Sequence, residues 1–201
     1  MSSPVSSPLS SVPAARHAAR FHVVTGGPGA GKNTLIDRLA ALGYARSEEA
    51  GRGVIRDQTA VGGRGLPWTD PALFAELMLG WELRSYRLAA GAPPGPVFFD
   101  RGVPDLIGYL RLEGLPVPDH VHAAARRYRY HRRVFLAPFW PEIYTVDAER
   151  RQSPEEAERT HRAVAEAYEE SGYELVELDR APVEDRVRAV LRSVEAGREE
   201  A

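Results

Sequence analysis

The run Gly26-Gly27-Pro28-Gly29-Ala30-Gly31-Lys32-Asn33-Thr34 constrains this chain more than any other feature. Glycines at this spacing let consecutive backbone N–H groups turn inward around an anion without Cβ obstruction. The residues before the run, Phe21-His22-Val23-Val24, are β-formers. Those after it carry Leu35, Leu39 and Leu42 on one helical face, with Gly43 as the stop. A strand, a glycine loop and a helix in that order aim a helix N-terminus, with its partial positive charge and unpaired donors, at phosphate oxygens. Lys32 adds a point charge for β- and γ-phosphates. The expected nucleotide contacts are therefore Gly27, Pro28, Gly29, Ala30, Gly31, Lys32, Asn33 and Thr34.

One position departs from the motif. A Ser or Thr hydroxyl is expected after the lysine, where it holds Mg²⁺, and this chain has Asn33. The amide oxygen of Asn33 is a cation ligand too, but on a longer and differently shaped side chain. One reading is an impaired Mg²⁺ site that weakens ATP binding or turnover.

Further along, short strands are expected at Tyr44–Ser47, Val97–Phe99, Val134–Ala137 and Tyr173–Leu178. The fully apolar Val97-Phe98-Phe99 suits a central parallel strand covered on both faces. Helices are expected from Thr69 or Asp70 onward with Pro71 in the first turn, over Pro104–Glu113 and Asp119–Tyr130, from the capping box Ser153-Pro154-Glu155-Glu156, and at the end of the chain. Phe74, Leu77, Met78 and Trp81 form one buried stripe, and Val183, Val187, Val190, Leu191 and Val194 another. Gly62–Pro67 reads as a mobile loop, and Glu48–Arg52 as a connection after the second strand. Five strands alternating with helices imply an α/β fold, a three-layer sandwich around a parallel five-stranded sheet. Residues 1–16 read as a disordered leader, 17–196 as a single domain and 197–201 as a flexible tail.

Carboxylates at strand ends are the natural partners of such a loop. Glu49 follows the second strand and Asp100 ends the third, with Arg101 beside it. Phosphoryl transfer needs one acid near the acceptor hydroxyl and another for Mg²⁺. Asn33 and Asp100 are the expected metal ligands, and Glu49, Arg52 and Arg101 the expected substrate contacts. Arg150 and Arg151 lie in a polar stretch where a short closing lid would place arginines over the transferring group.

The loop Gly26–Thr34, the segment Phe98-Phe99-Asp100-Arg101-Gly102 and the Arg150-Arg151 pair resemble small P-loop kinases, among them nucleoside kinases, nucleoside monophosphate kinases and nicotinamide riboside kinase. The ordered chain looks like the bacterial predicted-ATPase family related to the last of these. The resemblance implies a kinase-like P-loop NTPase fold, Glu49 as the base, and Asp100 with Arg101 on Mg²⁺ and phosphates. It also implies a second reading of Asn33: in adenylate-kinase-like loops the metal is held largely through water, and the role of phosphate contact falls on Thr34.

Composition narrows the classes. A net charge of −2 and a sequence pI near 6.3 argue against a nucleic-acid or anionic-membrane surface. The basic run Arg126–Arg133 with Tyr128 and Tyr130 reads as a helix end with packed tyrosines and solvated arginines rather than a nucleic-acid platform. The chain has no cysteine, which excludes disulfides and thiolate metal sites and fits a cytoplasmic location. No Asn-Lys-x-Asp guanine signature is present. The leading expectation is an ATP- and Mg²⁺-dependent phosphotransferase acting on a hydroxyl-bearing small molecule, with no membrane partner. The alternative is a nucleotide-binding switch or degenerate kinase whose metal site Asn33 has impaired.

Overall fold

A computed structural model describes residues 17–140 and 154–199. Strands β1 (Phe21–Thr25), β2 (Ala45–Arg46), β3 (Val97–Asp100), β4 (Arg133–Leu136) and β5 (Glu174–Glu177) form one sheet in the order β2-β3-β1-β4-β5. Every pairing is parallel, with Val24 beside both Asp100 and Phe135. The expected five-stranded parallel sheet is therefore present. β1 and β3 sit next to each other inside it, which is why every residue of both is buried.

Seven helices surround the sheet among the described residues: α1 (Lys32–Ala41), α2 (Ala50–Val61), α3 (Pro71–Ala90), α4 (Val103–Leu112), α5 (Asp119–Arg127), α6 (Pro154–Glu170) and α7 (Val183–Glu199). Side-chain alternation along β1 and β3 divides the core. Val24 and Phe98 pack with Leu35, Ile36 and Leu39 of α1 and Val187, Val190 and Val194 of α7 on one face. Phe21, Val23, Val97 and Phe99 pack with Tyr86 of α3 and Val164 and Tyr168 of α6 on the other. That is the three-layer sandwich. A further apolar cluster joins α2, α3, α4 and α5 through Val54, Phe74, Met78, Leu106 and Val121.

Asp70 caps α3 by accepting from the Leu73 N–H at 3.0 Å, with Pro71 in the first turn as expected. Helix α2 corrects the reading of residues after Glu49 as an open connection. Gly51 and Gly53 weaken its propensity, but the helix is held by packing, with Ala50 and Val54 buried. The Gly62–Pro67 segment is a loop, and its Gly65 N–H donates to Gln58 Oε1 of α2 at 3.0 Å. Ser153 of the expected capping box lies outside the described residues, and α6 begins at Pro154. Among the described residues no helix is long and apolar enough to cross a membrane.

The basic run leads into the start of β4, at the sheet edge opposite the glycine loop. Tyr130 is buried, Arg129 lies 3.9 Å over the Tyr173 ring, and Arg132 and Arg133 face Glu174.

Candidate functional site

In a parallel sheet the C-terminal strand ends share one edge, and the loops leaving β1, β2 and β3 meet there. The glycine loop leaves β1. Gly26, Gly29 and Gly31 have φ of 128°, 74° and 74°, the left-handed region that glycine enters freely. A Cβ on Gly26 would stand 2.5 Å from the Ala137 carbonyl oxygen, and one on Gly27 would stand 2.7 Å from that of Ala157 in α6. The loop is therefore pressed between the end of β4 and α6.

Lys32, the first residue of α1, is buried and folds back to donate to the Gly26 and Gly27 carbonyls at 3.0 and 2.7 Å. Burial, and then the neighbouring Arg101 charge, bring its ammonium down to about 7. Asn33 is half-buried and lines a cavity of about 230 Å³ that Asp100, Glu49 and Arg52 also line. Thr34 is exposed and is not part of that lining.

Arg101 is the hub. Its backbone takes φ 70°, unusual for a residue with a side chain, at the turn from β3 into α4. From there its Nε donates to Glu49 Oε1 at 3.1 Å, and one terminal nitrogen reaches Asp105 Oδ1 at 3.0 Å and the Gly26 carbonyl at 3.1 Å. One side chain thus ties the β2 exit, the β3 exit and the glycine loop together. Burial alone would raise Glu49, but the charges of Arg101, Lys32 and Arg52 hold its carboxyl below the usual range. Arg52, one turn along α2, pairs with Glu49 Oε2 at 2.8 Å.

Asp100 behaves oppositely. Burial and the adjacent Glu49 carboxylate outweigh Lys32 and Arg101 and push it up to about 6. Its Oδ1 is buried and has no hydrogen-bond partner among the described residues. The orphaned Asp100 oxygen and the Asn33 amide oxygen, both on residues that line this cavity, are donors that could take a hard cation keeping most of its waters. No cluster of three or more His, Asp or Glu side chains that would cage a metal occurs among the described residues.

Several participants escaped the sequence reading. Asp105 accepts from Thr25 Oγ1 at 2.6 Å, the Gly102 N–H at 2.9 Å and the Tyr168 hydroxyl at 2.7 Å, besides Arg101. Its place four residues after Arg101, at the first turn of a helix, was the available signal. Arg186 of α7 reaches across to donate to the Ala30 carbonyl with both terminal nitrogens at 3.2 Å. His161 of α6 lies against Gly27 with a buried, unpartnered Nδ1, and burial lowers its imidazole below the usual range. Glu82 of α3 is buried and held well above the carboxylate range by that burial and by Asp105 and Asp100. Arg150 and Arg151, with the expected lid, lie outside the described residues.

No curated protein matches this chain. Among solved structures, deoxyadenosine kinase from M. mycoides, with products dCMP and a flexible dCDP bound, superposes with a TM-score of 0.65 at 14% identity, covering 88% of this chain and 99% of that one. NadR protein in complex with NR gives 0.65 at 21% identity over 90% of this chain, and NadR with NAD and AMP-PNP gives 0.65 at 19% over 88%. This chain spans about half the length of NadR, 52% and 50% in those two structures. At such identities the likeness establishes the fold, that of the P-loop kinases. The model of an AAA domain, AAA_28, matches residues 21–186, and the chain therefore belongs to that family of P-loop domains.

Proposed function

We infer that the protein is an ATP-dependent phosphotransferase, moving the γ-phosphoryl group of ATP to the hydroxyl of a small metabolite in the cytoplasm. The observation that carries this reading is the convergence of Lys32, Asp100, Arg101 and Glu49 around one strand-end edge. A bare nucleotide-binding loop needs no carboxylate pair with opposite electrostatics beside it. This one has Glu49 held below the usual carboxylate range and Asp100 raised to about 6.

The backbone of Gly27–Thr34 cradles the phosphates, and Lys32 swings from the Gly26 and Gly27 carbonyls to the β- and γ-oxygens. Arg101, already at the glycine loop, neutralises charge on the transferring group. Asn33 and Asp100 are the residues that would hold Mg²⁺, which would supply charge neutralisation for the transferring phosphoryl group. Glu49 orients the acceptor hydroxyl. As the acceptor oxygen bonds to the γ-phosphorus, the bond to the ADP oxygen breaks and the hydroxyl proton passes to the Glu49 carboxylate. Arg150 and Arg151 are assigned to a lid over this site.

A second reading is favoured by Asn33 alone: a nucleotide-binding switch or degenerate kinase with a weak metal site. Calorimetric titration of ATP with and without Mg²⁺ separates the two. Magnesium-dependent micromolar binding, followed by acceptor-stimulated ADP release, is the expected result. Binding indifferent to Mg²⁺ that becomes dependent in Asn33→Thr would overturn it in favour of the switch.

A further inference from the structure

We propose that the acceptor carries an anionic group, phosphate or carboxylate, in addition to its reactive hydroxyl, and that Arg56 binds that group. This rests on the phosphotransferase reading and narrows it to a substrate class. The cavity of about 230 Å³ has two chemically different regions. Glu49 and Asp100 mark the strand-end region, where the hydroxyl would react. Along α2, Arg52 and Arg56 both line the cavity, four residues apart and so on one helical face.

The two arginines are not equivalent. Arg52 is engaged with Glu49 at 2.8 Å and helps to hold that carboxylate. Among the described residues Arg56 meets only its neighbour Asp57, through Nε at 3.4 Å, and both side chains are largely exposed, so that pair is worth little. The two terminal nitrogens of Arg56 remain as a planar fork, the shape that takes phosphate or carboxylate in two parallel hydrogen bonds. Seven residues separate Glu49 from Arg56, about 10 Å along a helix axis at ~1.5 Å per residue. That is the span of a small phosphorylated or carboxylated metabolite lying along α2.

The remaining cavity lining supports the assignment. The Asp37 carboxylate is already paired with Arg46, as Glu49 is with Arg101 and Arg52, and Glu48 is exposed. Among the described residues no aromatic or aliphatic side chain lines the cavity. Among the described residues a nucleobase therefore finds no aromatic ring to stack on there, and charge-assisted hydrogen bonds are the contacts this lining offers. Trp81 of α3 packs against Gly53 and the apolar cluster instead.

The test is calorimetric binding to the full chain with saturating AMP-PNP and Mg²⁺, using matched pairs: cytidine and CMP, ribose and ribose 5-phosphate, glycerol and glycerate. The expected result is at least tenfold tighter binding of the charged member in one or more pairs. Arg56→Gln erases that preference and Arg56→Lys retains part of it. Equal binding within every pair, no binding by any charged member, or a preference that survives Arg56→Gln would overturn the proposal. ADP release measured on the same pairs keeps the two readings apart. Arg56-dependent binding without ADP release sinks the phosphotransferase and leaves the anion site standing. Equal ADP release from charged and uncharged members sinks the anion site and leaves the phosphotransferase.

Discussion

Lys32 and Asp100 show how burial sets the working charge of single residues. An ammonium at about 7 is neutral through much of the range above that value, yet phosphate oxygens demand the cation. ATP binding should therefore take up close to one proton at pH 8, and affinity should fall as pH rises above 7. Calorimetry at pH 8 in two buffers of different ionisation heat reads that proton directly. Lys32→Ala should abolish binding altogether. Asp100 has the opposite sign. Its carboxyl is raised from 3.8 to about 6 by burial and by Glu49, so the folded state holds a proton that the unfolded chain has released. The ionised form therefore costs stability above pH 6, and the cost vanishes as pH falls below 4. Asp100→Asn should stabilise the ligand-free protein at pH 8 by on the order of 1–3 kcal/mol, a gain that shrinks towards pH 4. The same variant should bind ATP and lose turnover; retained turnover would remove Asp100 from the chemistry. The glycine loop and the Asp100-Arg101 pair were legible in the sequence because their chemistry is local. Tyr168 and Arg186 were not, because their partners lie 63 and 156 residues away along the chain.

At the scale of elements, α2 is the instructive case. Strand ends could be read from apolar runs closed by charged residues, and α3 from its cap. Helix α2 could not, because Gly51 and Gly53 lower its propensity and only tertiary packing restores it. Gly53 is needed because α3 passes so closely: a Cβ there would stand 2.4 Å from the Trp81 ring. Two opposing effects meet in Gly53→Ala. Helix propensity alone favours alanine by about 1 kcal/mol, while overpacking of this kind costs about 1–3 kcal/mol. Contact inside 3 Å with three ring atoms makes the second effect win. Gly53→Ala should lower the melting temperature and raise the KM for the acceptor more than that for ATP, since α2 carries Arg52 and directly follows Glu49. Gly80→Ala is the control. Gly80 faces open space on α3, so the same exchange should stabilise by about 0.5–1 kcal/mol. Equal melting shifts in the two variants would mean that Trp81 turns aside without effect on α2.

Across the whole molecule, the glycine loop is the point on which both helical layers close. From one face, Arg186 of α7 holds the Ala30 carbonyl. From the other, α6 presses on Gly27 through Ala157 and His161, and Arg101 holds the Gly26 carbonyl from the head of α4. A loop gripped from three distant parts of the chain acquires its shape only when the complete sheet is folded. A nucleotide that binds the loop should therefore stabilise the layers together rather than the loop alone. At a concentration 100 times its dissociation constant, a ligand specific to the folded state contributes about 2.7 kcal/mol, which slows exchange through global opening roughly a hundredfold. Hydrogen exchange with ATP should show that factor in β1 and β3, and the same factor in the first turn of α7 and around Ala157–His161 in α6. The two-residue edge strand β2, whose Ala45 and Arg46 are exposed, should exchange by local fraying and change little. If protection stopped at residues 26–35, α6 and α7 would be neighbours of the loop and not part of what the nucleotide stabilises. Protection shared across both layers would instead make two long-range contacts, Arg186 to Ala30 and α6 to Gly27, the means by which the whole fold senses an occupied site.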